Sequence, residues 1–163
     1  MMKYFFLFCA ILLFPFLQQS SFAQKKSLII EKADSIIFLQ QADSIRLRLE
    51  ADGFKPVREE FVQMFNQYEL EIQMPLYGKT IYHFVFIAEK TSRRTELKLY
   101  DAEGKKIRRE INMQEDPSGN VIRVSYNPFM NGMAQFSLLQ VNSKKKNHEK
   151  LHGYVMLLKK TST

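Results

Sequence analysis

The chain of 163 residues contains one cysteine, no tryptophan and three histidines. The cysteine, Cys9, lies in an apolar segment at the N-terminus, so a protein that loses this segment has no thiol. Disulfide bonds, thiolate zinc ligands and a cysteine nucleophile are then excluded. Histidine is the most frequent general acid or base, and three histidines leave little material for that chemistry. The composition therefore favours a protein stabilised by an ordinary core and predicts no catalytic residues.

The chain also lacks an apolar run of the length that crosses a bilayer. The longest run, Tyr4 to Leu17, is interrupted by Pro15, whereas a membrane span needs about 20 apolar residues. Lys3 precedes this run and the small-x-small sequence Ser21-Phe22-Ala23 follows it. This order is typical of a secretory signal peptide, and a retained anchor is the competing interpretation. We expect cleavage between Ala23 and Gln24.

Lipidation of Cys9 is a weaker interpretation of the same segment, because Cys9 lies too early in the apolar run. Removal of residues 1–23 leaves 140 residues, enough for one domain, and takes away Lys3, which lowers the formal net charge from +7 to +6. The basic residues are dispersed along the chain, whereas nucleic-acid binding needs them on one face. We therefore expect an exported protein, periplasmic or extracellular in a Gram-negative envelope, with no nucleic-acid partner.

Residues 27–52 contain helix formers with no glycine or proline, which predicts one long helix with Ser27 as a plausible N-cap. Gly53 at the C′ position, Phe54 and Pro56 indicate where it ends. Its apolar residues spread around much of the circumference, which leaves two contacts open for the helix, its own sheet and a partner, and its own sheet is favoured. These residues are Ile29, Ile30, Ala33, Ile36, Ile37, Leu39, Ile45, Leu47 and Leu49.

Beyond Pro56 the sequence pattern is that of strands. Tyr68 to Met74 alternates apolar and polar residues, and Pro75 to Lys79 reads as a hairpin turn into the run Ile81 to Ala88, which is apolar enough to be a central strand. Asp101 and Gly104 predict a tight turn in a second hairpin. Together the segments predict a mainly β fold, an antiparallel jelly-roll-like sandwich of about seven to eight strands preceded by one long helix. The other expected strands are 97–100, 107–113, 121–126, 133–141 and 153–159.

The sandwich region resembles the bacterial pre-peptidase C-terminal domain family. The resemblance rests on Tyr82-His83-Phe84-Val85-Phe86-Ile87, on Leu97-Lys98-Leu99-Tyr100-Asp101-Ala102-Glu103-Gly104, on Tyr126-Asn127-Pro128-Phe129-Met130-Asn131-Gly132, and on a last strand that opens with Gly153-Tyr154. It covers about 100 residues and excludes the long helix. It implies a non-catalytic module of the cell envelope or exterior, some of whose relatives bind carbohydrate, protein or calcium.

Three patterns bear on ligands. His148-Glu149-Lys150-Leu151-His152 fits the H-E-x-x-H zinc motif, which needs both imidazoles on one helical face and a third ligand, with His83 the one remaining histidine. Gly153 and the polar residues before His148 instead favour a loop that enters the final strand.

Asp101, Glu103 and Asp116 are possible calcium ligands but also suit turns. Tyr77, Tyr100 and Tyr126 are possible sugar-stacking residues, although tryptophan is absent.

We therefore divide the chain into a signal peptide (1–23), an N-terminal helix with its connector (24–56) and a β-sandwich domain (57–163). The expected function is that of an exported, non-enzymatic binding or structural protein of the envelope, with no cofactor or metal. A carbohydrate- or polyanion-binding module is the alternative, and a zinc hydrolase using residues 148–152 is a remote one. The expected partner is another envelope protein or a surface glycan, with no membrane span after signal cleavage.

Overall fold

The structure is a computed structural model that describes residues 32–161, with side chains from residue 35 onward. The predicted signal peptide, its cleavage site at Ala23 and Gln24, and the predicted N-cap Ser27 lie outside the described residues. Within the described range one helix precedes eight strands. The elements are α1 (Lys32–Ala51), β1 (Lys55–Phe65), β2 (Leu70–Leu76), β3 (Thr80–Ala88), β4 (Arg94–Tyr100), β5 (Lys106–Met113), β6 (Val121–Tyr126), β7 (Gly132–Val141) and β8 (Lys150–Thr161).

The strands form two four-stranded antiparallel sheets. Sheet A has the order β1-β8-β3-β6 and sheet B the order β2-β7-β4-β5. Their inner faces enclose the main core, in which Phe84 of sheet A stacks on Phe136 of sheet B with ring centroids 4.1 Å apart. The predicted mainly β fold, an antiparallel sandwich after one long helix, is confirmed. So is the central position of residues 81–88, since β3 pairs with both β8 and β6.

Helix α1 covers the outer face of sheet A. Its buried side chains, Phe38, Ala42, Ile45 and Leu49, recur at intervals of three or four residues and form one stripe. This stripe packs on outward-facing side chains of β3 and β8 in a second apolar cluster. The apolar residues from which the sequence predicted a wide distribution did not include Phe38 and Ala42, which are buried. They did include Leu47, which is exposed. The helix thus packs on its own sheet.

The helix ends as the sequence predicts. Gly53 has a φ of 87°, a left-handed conformation that costs glycine little. The amide of Phe54 donates to the carbonyl of Leu49 at 2.9 Å, and the amide of Gly53 donates to Glu50 at 2.9 Å. These are the two hydrogen bonds of a Schellman cap.

Outside the buried stripe of α1, Arg46 forms a two-point ion pair with Glu59 of β1, with N–O distances of 2.8 and 2.9 Å.

One prediction about strand pairing is corrected. Strands β2 and β3 do not form a hairpin, because β2 belongs to sheet B and β3 to sheet A, so residues 77–79 cross between the sheets. Pro75 lies inside β2 opposite Met133, which is tolerated because β2 is an edge strand. Strand β1 was not predicted, because its charged residues 58–60 hide the alternation of an edge strand. The hairpin of β4 and β5 is confirmed.

Gly153 marks the tightest packing between β8 and its neighbour. A Cβ atom there would lie 2.6 Å from Cε2 of Phe86, a distance that forces the buried ring to move. Replacing Gly153 with alanine should lower the free energy of unfolding by about 1–2 kcal/mol, the usual cost of overpacking a core. Urea unfolding followed by circular dichroism measures the change. In a Phe86→Leu background, where the ring is gone, the added methyl should cost less; an equal cost in both backgrounds would contradict the packing explanation.

Candidate functional site

Three connections meet at one end of the sandwich. Residues 77–79 join β2 to β3, residues 101–105 join β4 to β5, and residues 127–131 join β6 to β7. We call these three segments together the tip. The four connections that carry residues 66–69, 89–93, 114–120 and 142–149 lie at the opposite end, because all strands are antiparallel. The tip carries Phe129, the most exposed of the large apolar side chains among residues 35–161.

The apex of the tip is the loop between β6 and β7. Phe129 is 95% exposed and Met130 next to it is 66% exposed. Tyr77 in the neighbouring segment and Met133 at the start of β7 are each about half exposed. Single exposed apolar residues are common, whereas a contiguous apolar group at a loop apex marks an interaction site. We call these four residues the apolar patch.

The backbone beneath the apolar patch is closely packed. A Cβ atom on Gly78 would lie 2.8 Å from the carbonyl oxygen of Phe129, so only glycine permits this approach. The amide of Gly78 donates to Oδ1 of Asn131 at 2.8 Å. The amide of Tyr77 donates to the hydroxyl of the buried Tyr82 at 3.0 Å. Phe129 is therefore presented to solvent by a loop whose backbone is braced against the crossing segment.

A cleft of about 260 Å³ opens beside the apex. Its wall includes Tyr126, Pro128 and Phe129, and its polar groups include Asp101 and Asn131. Oδ1 of Asp101 accepts hydrogen bonds from the amides of Glu103 and Lys105 at 3.0 and 2.8 Å, which confirms the predicted role of Asp101 in the turn. Burial and the nearby Asp101 raise the pKa of Tyr126, so its hydroxyl stays protonated at neutral pH. The cleft combines an aromatic wall with polar groups.

Exposed lysines also lie at this end of the molecule. The β-sheet register places the first residue of β1 and the last residues of β8 beside the start of β3. Lys79, Lys105 and Lys106 belong to the crossing segment and to the β4–β5 hairpin. Against these stand four carboxylates: Glu50 and Asp52 at and just after the end of α1, and Asp101 and Glu103 in the β4–β5 hairpin. The six exposed lysines at this end are Lys55, Lys79, Lys105, Lys106, Lys159 and Lys160.

The residues of the possible zinc motif do not adopt the geometry that this motif requires. His148 and Glu149 lie in a turn and His152 lies on β8, as expected of a loop that enters the last strand. Nδ1 of His83 lies 2.9 Å from the hydroxyl of Ser125, and burial together with Arg123 lowers the pKa of His83. Within residues 32–161 no three histidine, cysteine, aspartate or glutamate residues are grouped to hold a metal ion.

The possible calcium ligands are also separated. Asp101 and Glu103 lie in the hairpin turn at the tip, whereas Asp116 lies in the connection at the far end of β5. There Oδ2 of Asp116 accepts a hydrogen bond from the amide of Met113 at 2.6 Å. The three carboxylates therefore do not converge on one point, and Asp101 and Asp116 have structural roles in their turns.

Of the three candidate sugar-stacking tyrosines, Tyr77 lies in the tip, and Tyr100 and Tyr126 are the last residues of β4 and β6, the strands that lead into it. Sequence reasoning missed Phe129 and Met130 as contact residues. The sequence does contain a feature that could have identified them: two large apolar residues stand in a loop bounded by Asn127 and Asn131, where polar residues are usual.

A larger cavity of about 710 Å³ lies between α1 and the other end of sheet A. Its carboxylate, Glu89, is already engaged: it pairs with the ammonium group of Lys145 at 3.0 Å and accepts a hydrogen bond from the amide of His152 at 2.8 Å. Gln63 lies 3.1 Å from Nε2 of His152. Because these polar groups satisfy one another, the cavity is a weaker candidate than the tip.

No helix within residues 32–161 has both the length and the apolar character needed to cross a bilayer. Comparison of the whole chain with models of known protein families finds no match. Comparison with curated proteins finds no match either. The function is therefore inferred from the geometry of the tip.

Proposed function

We propose that this protein is an exported, non-enzymatic binding or structural component of a bacterial cell envelope and that it binds through the tip. The single observation that carries the proposal is the exposure of Phe129 on a braced loop. A phenylalanine that is 95% exposed contributes nothing to the core, whereas contact with a partner removes its apolar surface from water. A braced loop also loses little conformational entropy on binding.

The sequence supports the location in this proposal. Residues 1–23 have the order of charged, apolar and small residues that is typical of a signal peptide, and the chain beyond them has no cysteine. The resemblance of residues 82–87, 97–104 and 126–132 to pre-peptidase C-terminal domains supports a non-catalytic role outside the cytoplasm. The stripe of α1 that includes Ile45 packs on sheet A. The tip, and not this stripe of the helix, is therefore the proposed contact element.

A second candidate function is the binding of a surface glycan in the cleft. The observation that favours it is the arrangement of Tyr126 and Phe129 around Asp101 and Asn131. Sugars are bound by aromatic faces together with side chains that accept or donate hydrogen bonds. In this case the partner would contact the side of the apex as well as Phe129.

Site-specific photo-cross-linking tests the proposed function. A benzophenone amino acid replaces Phe129 in the full chain expressed in its own organism, and an otherwise identical protein carries it at Leu47. Leu47 is a matched control because it is 68% exposed on α1, away from the tip. We expect discrete adducts from position 129 and far fewer from position 47, with mass spectrometry identifying protein, glycan or lipid. Equal labelling from both positions, or none from position 129, would contradict the proposal.

A further inference from the structure

The chemistry of the tip indicates what it contacts. Resting on the proposed function, we propose that the tip docks on the anionic lipid surface of an envelope membrane, with Phe129 and Met130 inserted among the acyl chains. Three features carry this inference: the small size and high exposure of the apolar patch, the lysines at the same end, and the bracing of the loop. Each is consistent with a bilayer surface as the occupant.

The apolar patch is small and is centred on a protruding side chain, since Phe129 is 95% exposed. Phe129 and Met130 stand at the apex of a loop, and Tyr77 and Met133 lie on its flanks. A stable protein interface buries at least about 1,000 Å² in total, which usually requires a broader surface than four side chains. A bilayer accepts a narrow wedge, because the acyl region takes up apolar side chains at any point. Aromatic side chains such as Tyr77 are favoured at the level of the headgroups.

The charge at this end complements an anionic surface. Six lysines share this end with four carboxylates, so its net formal charge is positive. Each lysine close to an anionic bilayer contributes about fivefold to the binding constant. One apolar insertion alone gives weak and reversible attachment, and stable attachment needs a second signal such as basic residues. The apolar patch and the lysines supply these two signals together.

Because the loop is braced, Phe129 and Met130 can insert into a membrane without a change in the backbone of the loop. Gly78 contacts the backbone of Phe129, and Asn131 accepts the hydrogen bond from the amide of Gly78. On the other side, a Cβ atom on Gly132 would lie 2.9 Å from that of Ala102, so the β4–β5 hairpin supports the loop as well. The loop is held from both sides and keeps Phe129 outward without a partner. Binding therefore needs no rearrangement of the backbone.

The absence of tryptophan gives a direct test. Phe129→Trp creates a single-tryptophan protein, and Leu47→Trp is its matched control on α1. Both are titrated with vesicles of phosphatidylglycerol and phosphatidylcholine and with vesicles of phosphatidylcholine alone. We expect a blue shift and quenching by brominated lipid for Trp at position 129 with the anionic vesicles, and neither for position 47. Salt should weaken the binding, because the Debye length falls to about 3 Å at 1 M.

Double variants separate the contribution of the apolar patch to vesicle binding from that of the lysines. Phe129→Ser combined with Met130→Ser should weaken vesicle binding at least about tenfold, and thermal unfolding should be unchanged because both side chains are exposed. Lys79→Gln combined with Lys105→Gln should weaken it by about 25-fold. The control, Lys144→Gln with Lys146→Gln, removes the same charge from the opposite end and should have little effect.

Absence of a blue shift at position 129 with anionic vesicles would overturn the lipid proposal, as would equal losses from both lysine pairs. If position 129 still cross-links to a protein or a glycan in that case, the proposed binding function survives and only the lipid partner is wrong. If neither vesicles nor cross-linking report a contact at position 129, both proposals fail.

Discussion

Replacing Ile45 with alanine is expected to lower the free energy of unfolding by about 3 kcal/mol. Ile45 is buried at the centre of the stripe by which α1 packs on sheet A, in the cluster that contains Val85 and Met156. Loss of its branched side chain removes apolar contacts and leaves a cavity that a helix and a sheet cannot fully close. The neighbouring ion pair between Arg46 and Glu59 is untouched. The change therefore measures the packing of the helix alone.

Urea unfolding followed by far-ultraviolet circular dichroism gives this value, with Leu47→Ala as the matched control. Leu47 lies on the same helix but is 68% exposed, so its truncation should change the free energy of unfolding by no more than about 0.5 kcal/mol. Similar values for the two variants would mean that α1 is not part of the cooperative core. A large difference would establish that the helix stabilises sheet A and is not free to bind a partner through this stripe.

Replacing Glu96 with alanine is expected to cost about 3 kcal/mol as well, for an electrostatic reason. Glu96 lies on the outer face of sheet B, yet it is only 1% exposed. The Nε atom of Arg109 donates to its carboxylate at 2.6 Å, and Arg94 pairs with the other carboxylate oxygen. The ammonium group of Lys98 lies 3.7 Å away and also pairs with Glu69. Without the carboxylate, two arginines and a lysine lie together with too little negative charge between them.

The matched control is Glu110→Ala on the adjacent strand. Glu110 pairs with Arg108 at 2.7 Å, but both side chains are well exposed, and such a pair contributes about 0–1 kcal/mol. Chemical unfolding of both variants at neutral pH should therefore show a loss several times larger for Glu96. A cost for Glu96→Ala no greater than that for Glu110→Ala would show that the buried carboxylate is not a stabilising centre.

The pH dependence gives a second measurement of the same group. Burial by itself raises the pKa of Glu96, but the hydrogen bonds from Arg109 and Arg94 outweigh it, and the pKa lies below its ordinary value of 4.5. The stabilisation is therefore complete above about pH 4.5 and is lost as the pH falls through the lower value of the folded state. The difference in unfolding free energy between wild type and Glu96→Gln should shrink as the pH falls below about 4.5. A constant difference would contradict the lowered pKa.

The parts of the fold that the sequence predicted are those decided by neighbouring residues. Gly53 and Phe54 end α1 through hydrogen bonds to residues of its own last turn. Asp101 likewise bonds the amides of Glu103 and Lys105 within one hairpin. In both cases the side chain and its partners lie within five residues, so the pattern alone determines the structure.

The parts that escaped prediction depend on distant residues. Pro75 to Lys79 has the composition of a hairpin turn, but β2 instead pairs with β7, about 60 residues away in the sequence. Glu96 alternates with Leu97 and therefore reads as an exposed residue, whereas Arg109 on another strand covers it. The tip escaped prediction for the same reason, since Gly78 and Phe129 meet only in the folded protein.

The order of sheet A has a consequence for how the protein reaches its folded state. Strand β8, which follows the other seven described strands along the chain, is inserted between β1 and β3 and is paired along almost its full length on both sides. Until β8 is available, β1 has no hydrogen-bonding neighbour among the described strands, and β3 exposes one edge of its backbone. Unpaired edges with apolar faces are sites of aggregation in incomplete chains. In the unfinished chain these edges must therefore be kept from pairing with other chains until β8 pairs with β1 and β3.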